Sequence, residues 1–438
     1  MTETNDAEAR IRSTYREFGG DDCSGRQLLT LVAGRVRVPR RDPADSFVLH
    51  APLEVMARGA LLPWVHPRGM ECARLRIVAV LDQFEEVPAV PVAVESAGAR
   101  DTVNRERGEP TVLAGRLIAA LEAGDLEAID AAAIELSGVA APAALPALLG
   151  DAVLPVLAAA GHAPIFLYQY PRVAPRGEVT AELLRPLARE LGRYPELRLN
   201  WIRERPSSGG SVAGLADALR NVPLMGVPDS TFIFPVMHQV DAGGVAQELL
   251  GPSLAGVAVE DAARVLLRTA ARAMLTASPE HAAYGWSHCL TMPQAALGIA
   301  PFVADRQLAL DVAGTYVVGF LAALATEPIP DGLDFADPGG SFRAALTTSR
   351  ESAAGFVLHA DESSLHSVVT ELVTEVCAHR DAHLVKYTLA CLDAAAADPP
   401  ARRLFLAAAA SLLASWLPID DPDDPLWRWE RSVIVTPE

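Results

Sequence analysis

Apolar residues recur every three or four positions along most of this chain, and strict two-residue alternation is scarce. That period predicts α-helices with an apolar face. Alanine and leucine fill most of the apolar positions and favour helix on their own. On this pattern helices are expected near residues 26–36, 45–62, 70–84, 111–123, 126–136, 143–160, 180–192, 212–220, 243–250, 259–276, 280–291, 305–325, 340–358, 362–378, 382–396 and 400–416. Pro and Gly clusters at 86–91, 171–177, 206–210, 328–332 and 338–340 separate them. Only Glu196–Ile202 (ELRLNWI) has the look of a short strand. No fixed-period repeat is present. The expected fold is all-α, a single large multi-helix, bundle-like domain over residues 21–417. A flexible N-terminus (1–20) precedes it, and a tail (418–438) follows, part of which docks through Trp427 and Trp429.

One stripe breaks the apolar pattern. Leu365, Val369, Leu372, Val376, His379, His383, Lys386 and Ala390 share helical spacing and are apolar at all but three positions. Lys386 is the only charged side chain between His383 and Asp393. A lysine is almost never fully buried without a partner. If Asp381 is an N-cap, a new helix starts there; His383 and Lys386 still share its first turns, but His379 leaves the face. His379 is therefore a reserve candidate. Blander roles for Lys386 are snorkelling to the surface or pairing with Asp311.

Composition narrows the partners. The chain has 438 residues, half of them hydrophobic, and a formal charge of −18. Such acidity argues against nucleic acid and anionic membranes. Five scattered cysteines, none spaced CxxC, fit a reducing cytoplasm rather than a disulfide scaffold. The polar start MTETNDAEAR does not read as a signal peptide. The uncharged runs 312–326 and 404–419 fall short of the roughly 20 residues that a membrane helix needs, so buried core helices are expected.

The histidines carry the candidate chemistry. His50, His162 and His288 each lie in an apolar run and are followed by a proline, at Pro52, Pro164 and Pro293. A proline disturbs the local helix and frees backbone groups. Sites of this kind are built in the core of helical bodies from facing helices. His238 and the pair His359/His366 read as structural or surface residues, and Glu371 and Glu375 as a solvated face. Trp64, Phe166, Tyr168, Tyr170, Trp286 and Tyr387 would suit a flat aromatic ligand or a plain core. There is no GxGxxG after a strand, GxxxxGK[ST], GxSxG or HExxH. The 207–212 loop (SSGGSV) reads as a linker.

The runs FVLHAPLEVMARGAL, GHAPIFL, YGWSHCLTMPQAALG and DAHLVKYTLACLDAA together resemble the questin oxidase family. The resemblance spans about residues 40–415, and the His-x-x-Lys run is its most specific part. It implies ring-opening oxygenation of anthraquinone-type aromatic polyketides, with dioxygen as co-substrate. In one branch it implies a mononuclear non-haem Fe(2+) held by four histidines and a lysine carboxylated on its side-chain nitrogen. Carried to this chain, the ligands would be His50, His162, His288, His383 and Lys386, the last two also catalytic. The chemistry is coherent: burial favours a neutral lysine amine, which captures CO2 as a carbamate, and imidazoles with one such oxygen suit iron. Two other readings stay open. One is a metal-independent oxygenase using NADPH or an electron-rich substrate. The other is a non-catalytic helical protein that binds a hydrophobic metabolite.

Overall fold

The computed structural model describes residues 2–36, 50–83, 109–173, 181–204, 209–417 and 424–426. These residues form α-helices joined by short turns and 3-10 segments. In order they are α1 (Thr2–Glu17), α2 (Gly25–Arg35), α3 (His50–Leu61), α4 (Met70–Ala79), α5 (Pro110–Ala123), α6 (Leu126–Ser137) and α7 (Leu145–Val153). Then come α8 (Ala163–Val173), α9 (Ala181–Arg193), α10 (Val212–Arg220), α11 (Ile233–Ala242), α12 (Val245–Leu254) and α13 (Val259–Thr276). The last are α14 (Ser287–Ile299), α15 (Arg306–Leu324), α16 (Phe342–Thr348), α17 (Arg350–His359), α18 (Leu365–Ala378), α19 (Ala382–Ala397) and α20 (Arg402–Trp416). The all-α expectation holds.

The centre of the molecule is α15, whose residues from Leu308 to Leu324 are all buried. A helix apolar on every side has to be enclosed. It is the one described helix long and apolar enough to cross a membrane, and the fold buries it. Against it lies α14, which also packs on α8 and α19; α3 in turn packs on both α8 and α19. These four helices, α3, α8, α14 and α19, thus close a cycle of contacts.

Several expectations need correction. Glu196–Ile202 is not a strand; it makes a single antiparallel bridge, Val156 with Arg198, and then a 3-10 turn. The expected 340–358 helix is two helices, broken at Ser349, whose side chain caps α17 through the Ser352 N–H. The 143–160 helix ends at Val153. The first residues were expected to be loose, yet Thr2–Glu17 is helical and buries Ile11 and Tyr15. Helices α8 and α11 were not expected. Each carries a proline in its first turn, Pro164 and Pro235, where the missing N–H costs nothing. Glu375 is buried against Arg343, not on a solvated face. Residues 45–49, the 86–91 cluster, Ser207 and Ser208 of the 207–212 loop, Trp427 and Trp429 lie outside the described residues. In the tail, Asp424 and Leu426 are buried, and Asp424 pairs with Arg76.

Candidate functional site

Each helix of the central cycle brings one histidine to the same place. His50 starts α3, His162 immediately precedes α8, His288 sits in the first turn of α14 and His383 in the first turn of α19. Their ring centres are 5.0 Å apart for His50 and His162, 5.5 Å for His162 and His288, 5.1 Å for His288 and His383, and 4.8 Å for His383 and His50. The four imidazoles close a ring just as their helices do. Lys386, one turn after His383, is 5% exposed, and its Nζ has no hydrogen-bond partner.

The local backbone explains how these side chains are held. Ala159, Ala160 and Gly161 have φ of 53°, 49° and 65°. Among the described residues the two alanines are the only non-glycines with positive φ. Such conformations cost about 1 kcal/mol or more each and persist where surrounding structure enforces them. The turn places the Ala159 carbonyl 3.0 Å from His162 Nδ1. Before His288, Ala282–Trp286 forms a π-helical turn, a feature that often marks functional sites. His288 Nδ1 bonds there to the Tyr284 carbonyl. A ring nitrogen facing a carbonyl must carry the proton, so in both histidines Nε2 holds the free lone pair. Both Nε2 atoms are buried without a partner.

Asp381 caps α19, accepting from the N–H groups of His383 and Leu384 at 2.8 and 2.9 Å. It also stands 3.7 Å from His383 Nδ1, beyond hydrogen-bond range but within electrostatic reach. Burial opposes its ionisation, but the His383 side chain and the N–H donors outweigh that and hold its carboxyl at about 2. The cap starts a new helix, so the stripe read through residues 365–390 is broken. His379 falls outside the site, its Nδ1 accepting from the Asp381 N–H at 3.0 Å and its ring edge-on to Trp416. Asp311 does not bond Lys386; it accepts from Gln307.

Electrostatics keep the imidazoles neutral. Burial first, and then the charge of Lys386, push His50, His162 and His383 below the usual histidine range. For His288 burial leads again, followed by its neighbours His383 and His162. Burial lowers Lys386 to about 8, with Asp381 and Glu54 pulling the other way. Burial thus raises the share of free amine at neutral pH.

The sequence reading missed the scaffold behind the site. Glu54 and Arg58, four apart on α3, form an ion pair of 2.6 Å and are 3% and 1% exposed. Arg58 donates to the carbonyls of Cys377, His379 and Arg380, and Arg76 to that of Ala378. These arginines terminate α18 and so set where α19 begins. Two charges four apart on an otherwise apolar helix were the available signal. The aromatic rings in contact with the histidines are Tyr284 on His383 and Phe320 on His288. None of the six aromatics singled out from sequence is among them; Phe166 and Tyr170 stack in the core and Trp64 is 43% exposed. His238, His359 and His366 are exposed, as expected.

The donor set can be tested against a metal ion. Two imidazoles on one first-row metal, with metal–nitrogen bonds of about 2.1 Å, hold their ring centres roughly 4.5–5.5 Å apart. The observed spacings match that interval, the rings are neutral, and two lone pairs are unused. Ring orientation differs: among the described residues no three His, Cys, Asp or Glu side chains gather their donors into a finished ligand shell. The rings stand edge to face instead, as aromatic rings prefer when they meet one another. The spacing of the four rings thus suits a metal ion, while their orientation is that of packed aromatic rings. Comparison with protein-family models, curated proteins and solved structures finds no match.

Proposed function

We propose that this chain is a cytoplasmic oxidoreductase of the questin oxidase type, an oxygenase that inserts oxygen into, or cleaves, a ring of an aromatic, polyketide-like substrate. The observation that carries the reading is the closed ring of His50, His162, His288 and His383 beside the partnerless amine of Lys386. In a plain core the unbonded Nε2 atoms of His162 and His288, Nδ1 of His383 and Nζ of Lys386 would each cost about 1–3 kcal/mol. A ligand resolves all of them together.

Lys386 supplies the fifth donor by its own chemistry. Its neutral amine forms an N–C bond to CO2, one proton leaves, and the product carries a carboxylate-like oxygen. The four histidines and that carbamate would hold ferrous iron. When bound, iron would supply the redox capacity that dioxygen chemistry requires and a Lewis acid to polarise the substrate. The chain does the rest. The carbonyls of Ala159 and Tyr284 keep the Nδ1 protons of His162 and His288 in place and leave Nε2 as the donor. Asp381 holds the His383 ring by its charge and fixes the start of α19. Phe320, stacked on His288, is fully buried and helps to exclude water. Tyr284 is 57% exposed on one side and meets His383 on the other, marking the direction from which a flat substrate approaches.

Oxygen uptake with a hydroxyanthraquinone tests the reading. Uptake is expected only with ferrous iron and CO2 both present, and full activity in a metal-free preparation would refute it.

A further inference from the structure

A second polar cluster lies away from the imidazoles. Helices α10 and α13 pack together, and the cleft of about 250 Å³ between them and the 329–331 loop is lined by Arg220, Arg264, Arg268 and Arg272. Three of these are spaced four apart on α13, so one face of the helix carries a row of like charges. Like charges at that spacing oppose helix formation. In a chain of net charge −18 such a row is unexpected.

Carboxylates answer part of it. Arg220 pairs with Asp217 and Asp331, Arg264 with Asp261, and Arg268 with Asp398. Asp398 takes Nε and Nη2 of Arg268 at 2.6 and 2.7 Å and leaves Nη1 uncommitted. Arg272 is different: it is half-buried, and among the described residues its guanidinium has no hydrogen-bond or ion-pair partner. Burial lowers its affinity for a proton, Asp331 opposes that and Arg268 adds to it. A partly buried guanidinium with five idle donors and a like-charged neighbour lacks an anion.

We propose that this cleft binds a phosphate group, held by Arg272 and the free edge of Arg268, with any attached apolar body resting on Leu219, Val265 and Ile329. One guanidinium fork satisfies a planar carboxylate, as Asp398 shows on Arg268. A tetrahedral phosphate presents oxygens to two forks together. The site is independent of the imidazole cluster and of the oxygenase reading.

Calorimetric titration of the full chain at constant ionic strength, with phenyl phosphate, inorganic phosphate and benzoate as probes, tests it. Saturable binding of phenyl phosphate is expected, with benzoate much weaker. A similar affinity for inorganic phosphate would identify the free ion as the occupant, and a weaker one an organic phosphate. Arg272→Met is expected to weaken phosphate binding roughly tenfold or more, and Arg272→Lys to weaken it less. Without phosphate, Arg272→Met is expected to melt at the same temperature as the parent or higher, because a repulsion is removed. No saturable binding, equal binding of benzoate, unchanged affinity in Arg272→Met, or a lower melting temperature of that variant without phosphate would each overturn the proposal.

Discussion

A buried lysine amine with nothing to bond is destabilising, and chains keep such residues where they act. Replacing Lys386 by Met keeps the volume and removes the amine. Its expected outcome is loss of turnover with folding stability unchanged or raised, measured by oxygen uptake and urea unfolding on the same preparation. Had Lys386 been half of a buried ion pair, the same change would lower stability by roughly 3–5 kcal/mol. His379 contributes to the pH dependence from outside the cluster. Burial lowers it to about 4, and its Nδ1 must stay unprotonated to accept the Asp381 N–H. In the unfolded chain it titrates near its ordinary value of about 6.5. The unfolded state therefore binds more protons between these values, and stability is full above pH 6.5 and falls as pH drops toward 4. The loss from this one group reaches up to roughly 3 kcal/mol. His379→Asn retains an acceptor without the titration and should lose less stability between pH 7.5 and 4.5 in denaturant unfolding.

Helix identity was largely legible, and helix ends were not. Spans such as 212–220 and 259–276 match because their apolar periodicity runs unbroken between turn signals. Helices α8 and α11 escaped because a proline inside a short apolar run reads as a break, while at a helix start it is tolerated. The stripe through 365–390 left the Asp381 cap as one of two readings, because helical spacing alone cannot register a restart of the chain; the structure settles it for the cap. Arg58, which holds the carbonyls at the end of α18, supports that restart and was visible only as one of two charges on α3. Arg58→Met leaves the Glu54 carboxylate buried and unpaired, and should lower stability by roughly 3–5 kcal/mol in chemical denaturation. The double change Glu54→Leu with Arg58→Met should recover part of that loss. The left-handed turn before His162 makes an opposite pair. Gly161→Ala puts a Cβ against Met292 at a φ of 65°, where an L side chain is strained, and should lower the melting temperature clearly. Ala160→Gly relieves a strained φ and should be neutral or stabilising, against the usual direction of that substitution.

At the scale of the molecule, five separate signals in the sequence prove to be one place. His50 and Lys386 are distant in the chain, yet α3 and α19 pack together, and the cycle through α8 and α14 closes around them. The residue types were readable because imidazoles and a lone lysine stand out in apolar runs. Their convergence was not, since no local pattern encodes which helices pack. Tyr284 and Phe320 were missed for the same reason, being neighbours only through packing. The decisive measurement is metal content by elemental analysis after ferrous loading under CO2, for the parent chain and for His162→Ala, His288→Ala and Lys386→Met, each checked for an unchanged melt before loading. One iron per parent chain, lost in the folded variants, is the expected result. A parent that retains no stoichiometric metal, or variants that retain as much as the parent, would contradict the assignment of these five side chains to one centre.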